Sequence, residues 1–289
     1  MSKDPERNDD NSIGAALKAA TQELVRAQIA DAAGDARRLV AFAMELSAAA
    51  LSANLGDRVT PAGLEALDAA IRARIERRPV SHIVGGREFW GHRFKVTPAV
   101  LDPRPETEIL VEAALSQPFS RVLDLGTGSG CILLSLLADR PQASGVGVDA
   151  SPDALEVALE NAAGLDLEGR ADFLLSDWFS AFDGVFDLIV ANPPYIALEE
   201  MATLQPEVLK WEPMAALCAG PSGLEAYETI AEGIGPYLAP GGRVLLEVGP
   251  TQADAVSALF AKAGLVAQTI HPDLDGRARV VEMRAPKKG

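Results

Sequence analysis

Two hydrophobic rhythms divide the chain. Up to residue 84, apolar positions recur every three or four residues, the spacing of one helix face. Leu39, Phe42, Ala43 and Leu46 share such a face. Leu64, Leu67, Ile71 and Ile75 form a second stripe behind Thr60-Pro61, a capping hydroxyl followed by proline at the first helical position. Alanine is abundant here and favours helix. A small helical bundle is predicted. From Arg121 the pattern becomes short apolar runs, at 121–125, 145–149, 172–175, 186–191 and 243–248, mostly separated by helical stretches. Such alternation predicts a parallel sheet covered on both faces. Two further strand-like runs, 266–271 and 279–283, have too short a join for a helical crossover, so they should pair antiparallel.

Between the two rhythms lie Gly85-Gly86 and the segments 88–90 and 94–96, which flank Gly91-His92-Arg93 as a hairpin would. Three prolines between Pro98 and Pro105 suggest a stiff connection, and a helix is expected over about 106–116. The predicted organisation is a disordered polar tail (1–12), the bundle (13–84), a hairpin and linker (85–105) and an α/β domain (106–289). There are no internal repeats.

Composition narrows the chemistry. Two cysteines, Cys131 and Cys218, make neither a disulfide scaffold nor a four-ligand zinc site. The histidines His82, His92 and His271 are scattered, so no metal is expected. No apolar run is long enough to span a bilayer, and the polar start argues against a secretory signal, so a cytoplasmic protein is expected. The net charge is −15, and residues 91–289 carry nearly all of it, with 14 Lys/Arg against 28 Asp/Glu. That balance makes a polyanion a poor default partner. Arg72, Arg74, Arg77 and Arg78 crowd the end of one helix, where they either offset its dipole on a solvated face or form a contact patch for a macromolecule.

The run Val122-Leu123-Asp124-Leu125-Gly126-Thr127-Gly128-Ser129-Gly130 follows a strand and precedes an apolar helix. Its glycines permit a tight turn and close approach of a ligand to the backbone. Their spacing is neither the dinucleotide fingerprint nor a P-loop. Asp149, at the tip of the next strand, can accept both hydroxyls of a ribose, or else cap the following helix. Trp178 follows the third strand, where it can cover an adenine or simply fill the core. In order, the three tips offer a tail pocket, a ribose acceptor and a base pocket, an order that matches S-adenosylmethionine.

Asn192-Pro193-Pro194-Tyr195 ends the strand at 186–191. Proline cannot continue a central ladder and extends the residue before it, so this backbone is stiff. The Asn192 side-chain oxygen and the Pro193 carbonyl make a pair of acceptors for a planar NH₂ group, and Tyr195 can pack on its face. A carboxamide nitrogen is a poor nucleophile. Two acceptors would orient it and stabilise the charge that grows on it.

The glycine loop, Asp149 and Asn-Pro-Pro-Tyr at these spacings resemble the amino and amide N-methyltransferases of the Rossmann-like class. Within it, Asp102-Pro103-Arg104-Pro105-Glu106-Thr107-Glu108 is similar to the segment before the catalytic domain of the HemK-type release-factor glutamine methyltransferases. The resemblance implies a mostly parallel sheet with an antiparallel C-terminal strand and a small N-terminal helical domain that contacts the release factor. It implies S-adenosylmethionine on Gly126, Thr127, Gly128, Ser129, Gly130, Asp149, Trp178 and Asn192. It implies a glutamine site at Asn192, Pro193, Pro194 and Tyr195, with Asn192, Pro193 and Tyr195 catalytic. The implied target is the glutamine of the Gly-Gly-Gln motif in class I release factors, with no direct nucleic acid and no membrane. Roles for Arg104 and Glu108 beyond support of the pocket do not follow from it. The alternatives are a ribosomal-protein glutamine, adenine N6 of a nucleic acid, or a cofactor-binding module without transfer.

Overall fold

The computed structural model describes residues 11–286 and divides after Gly85 into two compact units. Most of the tail expected over 1–12 lies outside the described residues. Asn11 and Ser12 do not belong to a tail. The Asn11 carbonyl accepts from the Val59 N–H at 3.1 Å, and the Ser12 hydroxyl accepts from the Ala15 N–H as a helix cap.

The first unit contains α1 (Ile13–Arg26), α2 (Ala32–Ala43), α3 (Ala48–Ala53), α4 (Pro61–Ile75) and α5 (Val80–Val84). Ser12, Asp31, Ser47 and Thr60 cap the first four through their side-chain oxygens. Leu24, Leu39, Leu51, Leu67 and Ile71 are buried at its centre. The apolar stripes are rotated from expectation, since Phe42, Leu64 and Ile75 are exposed. On α4 the inward side is Gly63, Leu67, Ala70, Ile71 and Arg74. The arginine cluster is correspondingly split. Arg74 is buried with its Nε 2.7 Å from Asp35 of α2, a carboxylate that could not be buried unpaired. Arg77 donates to the carbonyls of Ala27 (3.1 Å) and Gln28 (3.3 Å) at the end of α1. These two arginines hold the bundle together, and Arg72 remains exposed.

The second unit opens with a hairpin, β1 (Arg87–Phe89) and β2 (His92–Phe94). Its turn is Trp90-Gly91, not the three residues expected. Both have positive φ (49° and 73°), as a two-residue turn of the favoured twist requires. Phe89 and Phe94 are buried in the unit's own core, so the hairpin belongs to the α/β body and is not a free linker. A 3₁₀ turn at Pro105–Thr107 leads into α6 (Glu108–Leu115). Then follow β3 (Arg121–Leu125), α7 (Cys131–Asp139), β4 (Ser144–Asp149), α8 (Pro152–Gly164), β5 (Ala171–Leu175) and β6 (Phe186–Ala191). An insert carries β7 (Ile196–Ala197), α9 (Pro206–Trp211) and β8 (Cys218–Gly220). The chain closes with α10 (Glu225–Gly233), β9 (Leu238–Glu247), α11 (Ala253–Lys262), β10 (Val266–Pro272) and β11 (Ala278–Arg284).

Seven strands form one sheet in the order β10-β11-β9-β6-β3-β4-β5. The five from β9 to β5 are parallel; β11 runs antiparallel to both β9 and β10. Strand residues alternate between two cores. Val122, Leu188, Val190, Leu245 and Val280 pack on the side of α6 and α7. Leu123, Ile189, Val244, Leu246 and Val281 pack on the side of α10 and α11. Strand order reverses between β3 and β6, which opens a crevice at their carboxyl ends where ligands of such sheets bind. No described helix is long and apolar enough to cross a membrane.

Candidate active site

The glycine loop joins β3 to α7. Gly126, Gly128 and Gly130 all have left-handed φ (70°, 54° and 77°). A Cβ at Gly126 or Gly128 would meet nothing within 4 Å, so the loop leaves open space beside its backbone. That space is a cavity of about 440 Å³, a size that suits a nucleoside carrying a tail. Gly126, Thr127, Gly128, Ser129, Asp149, Trp178, Asn192 and Pro194 line it. Gly130 does not. A Cβ there would lie 3.1 Å from Leu134 and 3.3 Å from Ala158, so its task is close packing at the start of α7.

Asp149 is not the cap of α8, because the Ser151 hydroxyl accepts the Ala154 N–H. The Asp149 carboxylate is held by the Gly128 N–H on Oδ2 and the Ser151 N–H on Oδ1, both at 2.9 Å. Each oxygen keeps a lone pair for a hydroxyl. Trp178 sits in a left-handed conformation (φ 51°), with its carbonyl accepting from the Ser176 hydroxyl at 2.9 Å. It lines the cavity and also packs against the core.

Asp124 escaped the sequence reading. It is fully buried beneath the loop, where its Oδ2 accepts the Thr127 hydroxyl at 2.7 Å. Its Oδ1 makes no hydrogen bond among the described residues. Burial pushes the carboxyl up to about 7. The available signal was a lone acid in an apolar strand. Open space over left-handed glycines and a ribose-competent acid together fit a nucleoside with a tail, such as S-adenosylmethionine.

At the end of β6 the parallel register pairs Ala191 with Leu246, which brings Asn192 beside Glu247. The Asn192 Nδ2 donates to the Thr107 hydroxyl (3.2 Å), which donates to the Glu247 Oε2 (2.6 Å). Burial raises Glu247 to about 7, against the hydrogen bond from Thr107 and the charge of Arg279. Tyr195 is held by its carbonyl, which accepts from the Gln252 Nε2 at 2.9 Å, and burial pushes its hydroxyl up. Asn192, Tyr195 and Glu247 line an annex of about 130 Å³ with Leu204, Val208 and Leu217. Asn192 lines both cavities and stands at their junction. Pro193 is buried and lines neither.

The segment before α6 acquires specific work. Asp102 pairs with Arg87 of the hairpin at 3.0 Å. Arg104 lines both cavities and donates from Nη2 to both oxygens of buried Glu212, at 2.7 and 2.8 Å, which ties the insert to the crevice wall. The Glu108 Oε1 accepts the Trp90 N–H at 2.8 Å and so steadies the strained hairpin turn. Among the described residues, no group of three or more His, Cys, Asp or Glu is arranged to hold a metal.

Comparison with known proteins agrees with this architecture. Residues 101–209 match the family described as methyltransferase small domain, and residues 15–85 match the PrmC N-terminal domain. A protein of Cereibacter sphaeroides named release factor glutamine methyltransferase is 54% identical, over 94% of this chain and 98% of its own. One of the same name from Rhodospirillum rubrum is 46% identical, over 88% of this chain and 79% of its own. A solved methyltransferase from Pyrococcus furiosus shares the fold at a TM-score of 0.52 and 15% identity, over 68% of this chain and 90% of that one. With relatives this similar across nearly its whole length, the chain belongs to the release factor glutamine methyltransferase family.

Proposed function

We propose that this protein transfers the methyl group of S-adenosylmethionine to the side-chain amide nitrogen of the Gly-Gly-Gln glutamine in class I release factors. The product is N5-methylglutamine. The observation that carries this reading is the Asn192 carboxamide at the junction of the two cavities, with its NH₂ end taken by Thr107 and its oxygen left to accept.

Bound S-adenosylmethionine supplies a methyl group already activated by its positively charged sulfur. The chain's residues do the rest. The left-handed glycines at 126 and 128 give the tail room, Asp149 accepts the ribose hydroxyls and Trp178 covers the base. The Asn192 Oδ1, at the junction of the two cavities, accepts an N–H group of the glutamine. That would turn the nitrogen toward the methyl and stabilise the charge that would develop as the N–C bond forms and the methyl–sulfur bond breaks, with S-adenosylhomocysteine as the leaving group. The methylated nitrogen then releases a proton to water. Tyr195, which lines the annex, packs on the flat amide. The N-terminal bundle serves as a contact for the release factor, and the reaction belongs to the cytosol, where release factors work.

Labelled cofactor and purified release factor test this directly. The native factor should take up label and its Gln→Ala variant should not; equal labelling of both, or label passing to RNA instead, overturns the reading.

A further inference from the structure

We propose that Glu247, acting through the Thr107 hydroxyl, is a positioning residue that determines which end of the Asn192 carboxamide faces the reacting nitrogen. This rests on the role given to Asn192 above. The two ends of a carboxamide are nearly the same size, so packing alone does not choose between them; hydrogen bonds do. The prolines after Asn192 stiffen its backbone but leave the flip of its side-chain amide unrestrained. A reversed amide would aim N–H at the substrate's N–H, and the acceptor would be lost.

Thr107 has one proton to give. Its Oγ1 lies 2.6 Å from the Glu247 Oε2, the separation of a hydroxyl donating to a carboxylate. With its proton spent there, the hydroxyl shows Asn192 only a lone pair. The NH₂ end must therefore face it, as the 3.2 Å contact from Nδ2 requires, and Oδ1 is turned away. A protonated Glu247 reverses the logic. Its own O–H can donate to Thr107, which frees the threonine proton for Asn192, and either end of the amide is then satisfied. The choice is enforced only while Glu247 is charged.

The surroundings of Glu247 are poised for that dependence. It is 1% exposed, and its carbonyl is fixed by the Tyr227 hydroxyl at 2.8 Å. Arg279 of β11 and Arg104 of the linker favour its charge, while Glu106 opposes it. Tyr195, Tyr227 and Cys131 also lie within its field, and all three hold their protons near neutrality because burial raises them. Arg279 is itself anchored on Asp273 at 3.0 Å. The net result is a carboxyl that titrates at about 7. Its ionised fraction, and with it the enforced amide orientation, falls as pH drops through that value.

The test is kcat and KM on the full chain with release factor, from about pH 6 to about pH 9. Wild-type kcat should fall on the acid side of about 7. Glu247→Gln and Thr107→Val should each lower kcat about tenfold or more. Both should keep cofactor affinity within about twofold by calorimetry, which also reports that the cavity is folded. Both should lose the acid limb, and combining them should cost little beyond the worse single change. Thr107→Ser, which restores the hydroxyl, should recover most of the turnover. A purely structural role would leave the acid limb in whatever activity remains. The proposal is overturned if Glu247→Gln keeps that limb, or if Thr107→Val keeps wild-type kcat while Glu247→Gln does not, since Glu247 would then act on substrate directly. An active Asn192→Ala would instead sink the role of Asn192 itself. A dead Asn192→Ala beside unimpaired Glu247→Gln and Thr107→Val would remove only the positioning pair.

Discussion

The larger cavity takes most of its polar lining from three short stretches, 126–129, 149–151 and 176–178, each at the tip of one strand. The annex beside it draws on Arg104, Asn192, Tyr195, Leu204, Val208, Leu217 and Glu247, which are spread along more than half of the second unit. The first is shaped by backbone: left-handed glycines, and amides that fix one carboxylate. The second is shaped by side chains bonded across 85 and 140 positions of sequence. A cofactor shared by many enzymes can be held by local backbone geometry. A particular nucleophile needs acceptors whose direction is set from afar.

If the two cavities divide binding from chemistry, substitutions should sort accordingly. The largest effect is expected for Asn192→Ala, which should cut kcat by about 100-fold or more while cofactor affinity stays within about threefold. A parallel loss of both would place Asn192 on the cofactor side only and erase the division. Next comes pH. Asp124 under the larger cavity and Glu247 beside the annex are both raised to about 7 by burial. Their contribution to stability is fully present below their unfolded values and is lost as pH rises through about 7. Thermal melts of the cofactor-free protein should weaken between about pH 5 and about pH 8, by an amount on the order of a few kcal/mol. Asp124→Asn should flatten that slope without altering the acid limb of kcat, and an unchanged slope would refute the burial argument for Asp124. Asp149→Ala should then raise the cofactor dissociation constant roughly 30-fold with kcat at saturation nearly intact. A lowered kcat at saturating cofactor would show that Asp149 also serves the chemistry. The smallest effect belongs to Gly147→Ala. Its Cβ would fall 2.8 Å from the Phe173 ring and the Thr127 hydroxyl, which should cost about 1–2 kcal/mol in a melt and leave kcat alone.

What the sequence disclosed follows the same line. The parallel sheet, its antiparallel end and the glycine loop were legible because each rests on local rules: strand periodicity, join length and the φ that only glycine adopts readily. Gly130 obeys the same rule for a different reason, so a local reading assigned it to the ligand when it serves packing against Leu134 and Ala158. Pro193 was placed by its neighbours in the motif, yet it is buried off both cavities. Thr107, Arg104 and Glu108 were quoted as a motif without definite roles, because their partners Glu247, Glu212 and Trp90 are set by tertiary register. Arg74 and Arg77 looked like surface charge for the same reason: Asp35 and the carbonyls at the end of α1 become their neighbours only once the bundle forms. The insert between β6 and β9 escaped because a two-residue strand and a six-residue helix carry no readable period.

The place of β11 has a consequence for how the molecule is made. This strand slots between β9 and β10, both of which precede it in the chain, and brings Arg279 up to Glu247. During vectorial synthesis β9 therefore waits with one flank open, and Glu247 is without the charge of Arg279 until β11 has docked. A product broken off before residue 278 would carry the whole glycine loop and Asn-Pro-Pro-Tyr. It would nonetheless lack the strand that pairs with β9 beside Glu247, so the motifs alone do not make a complete site.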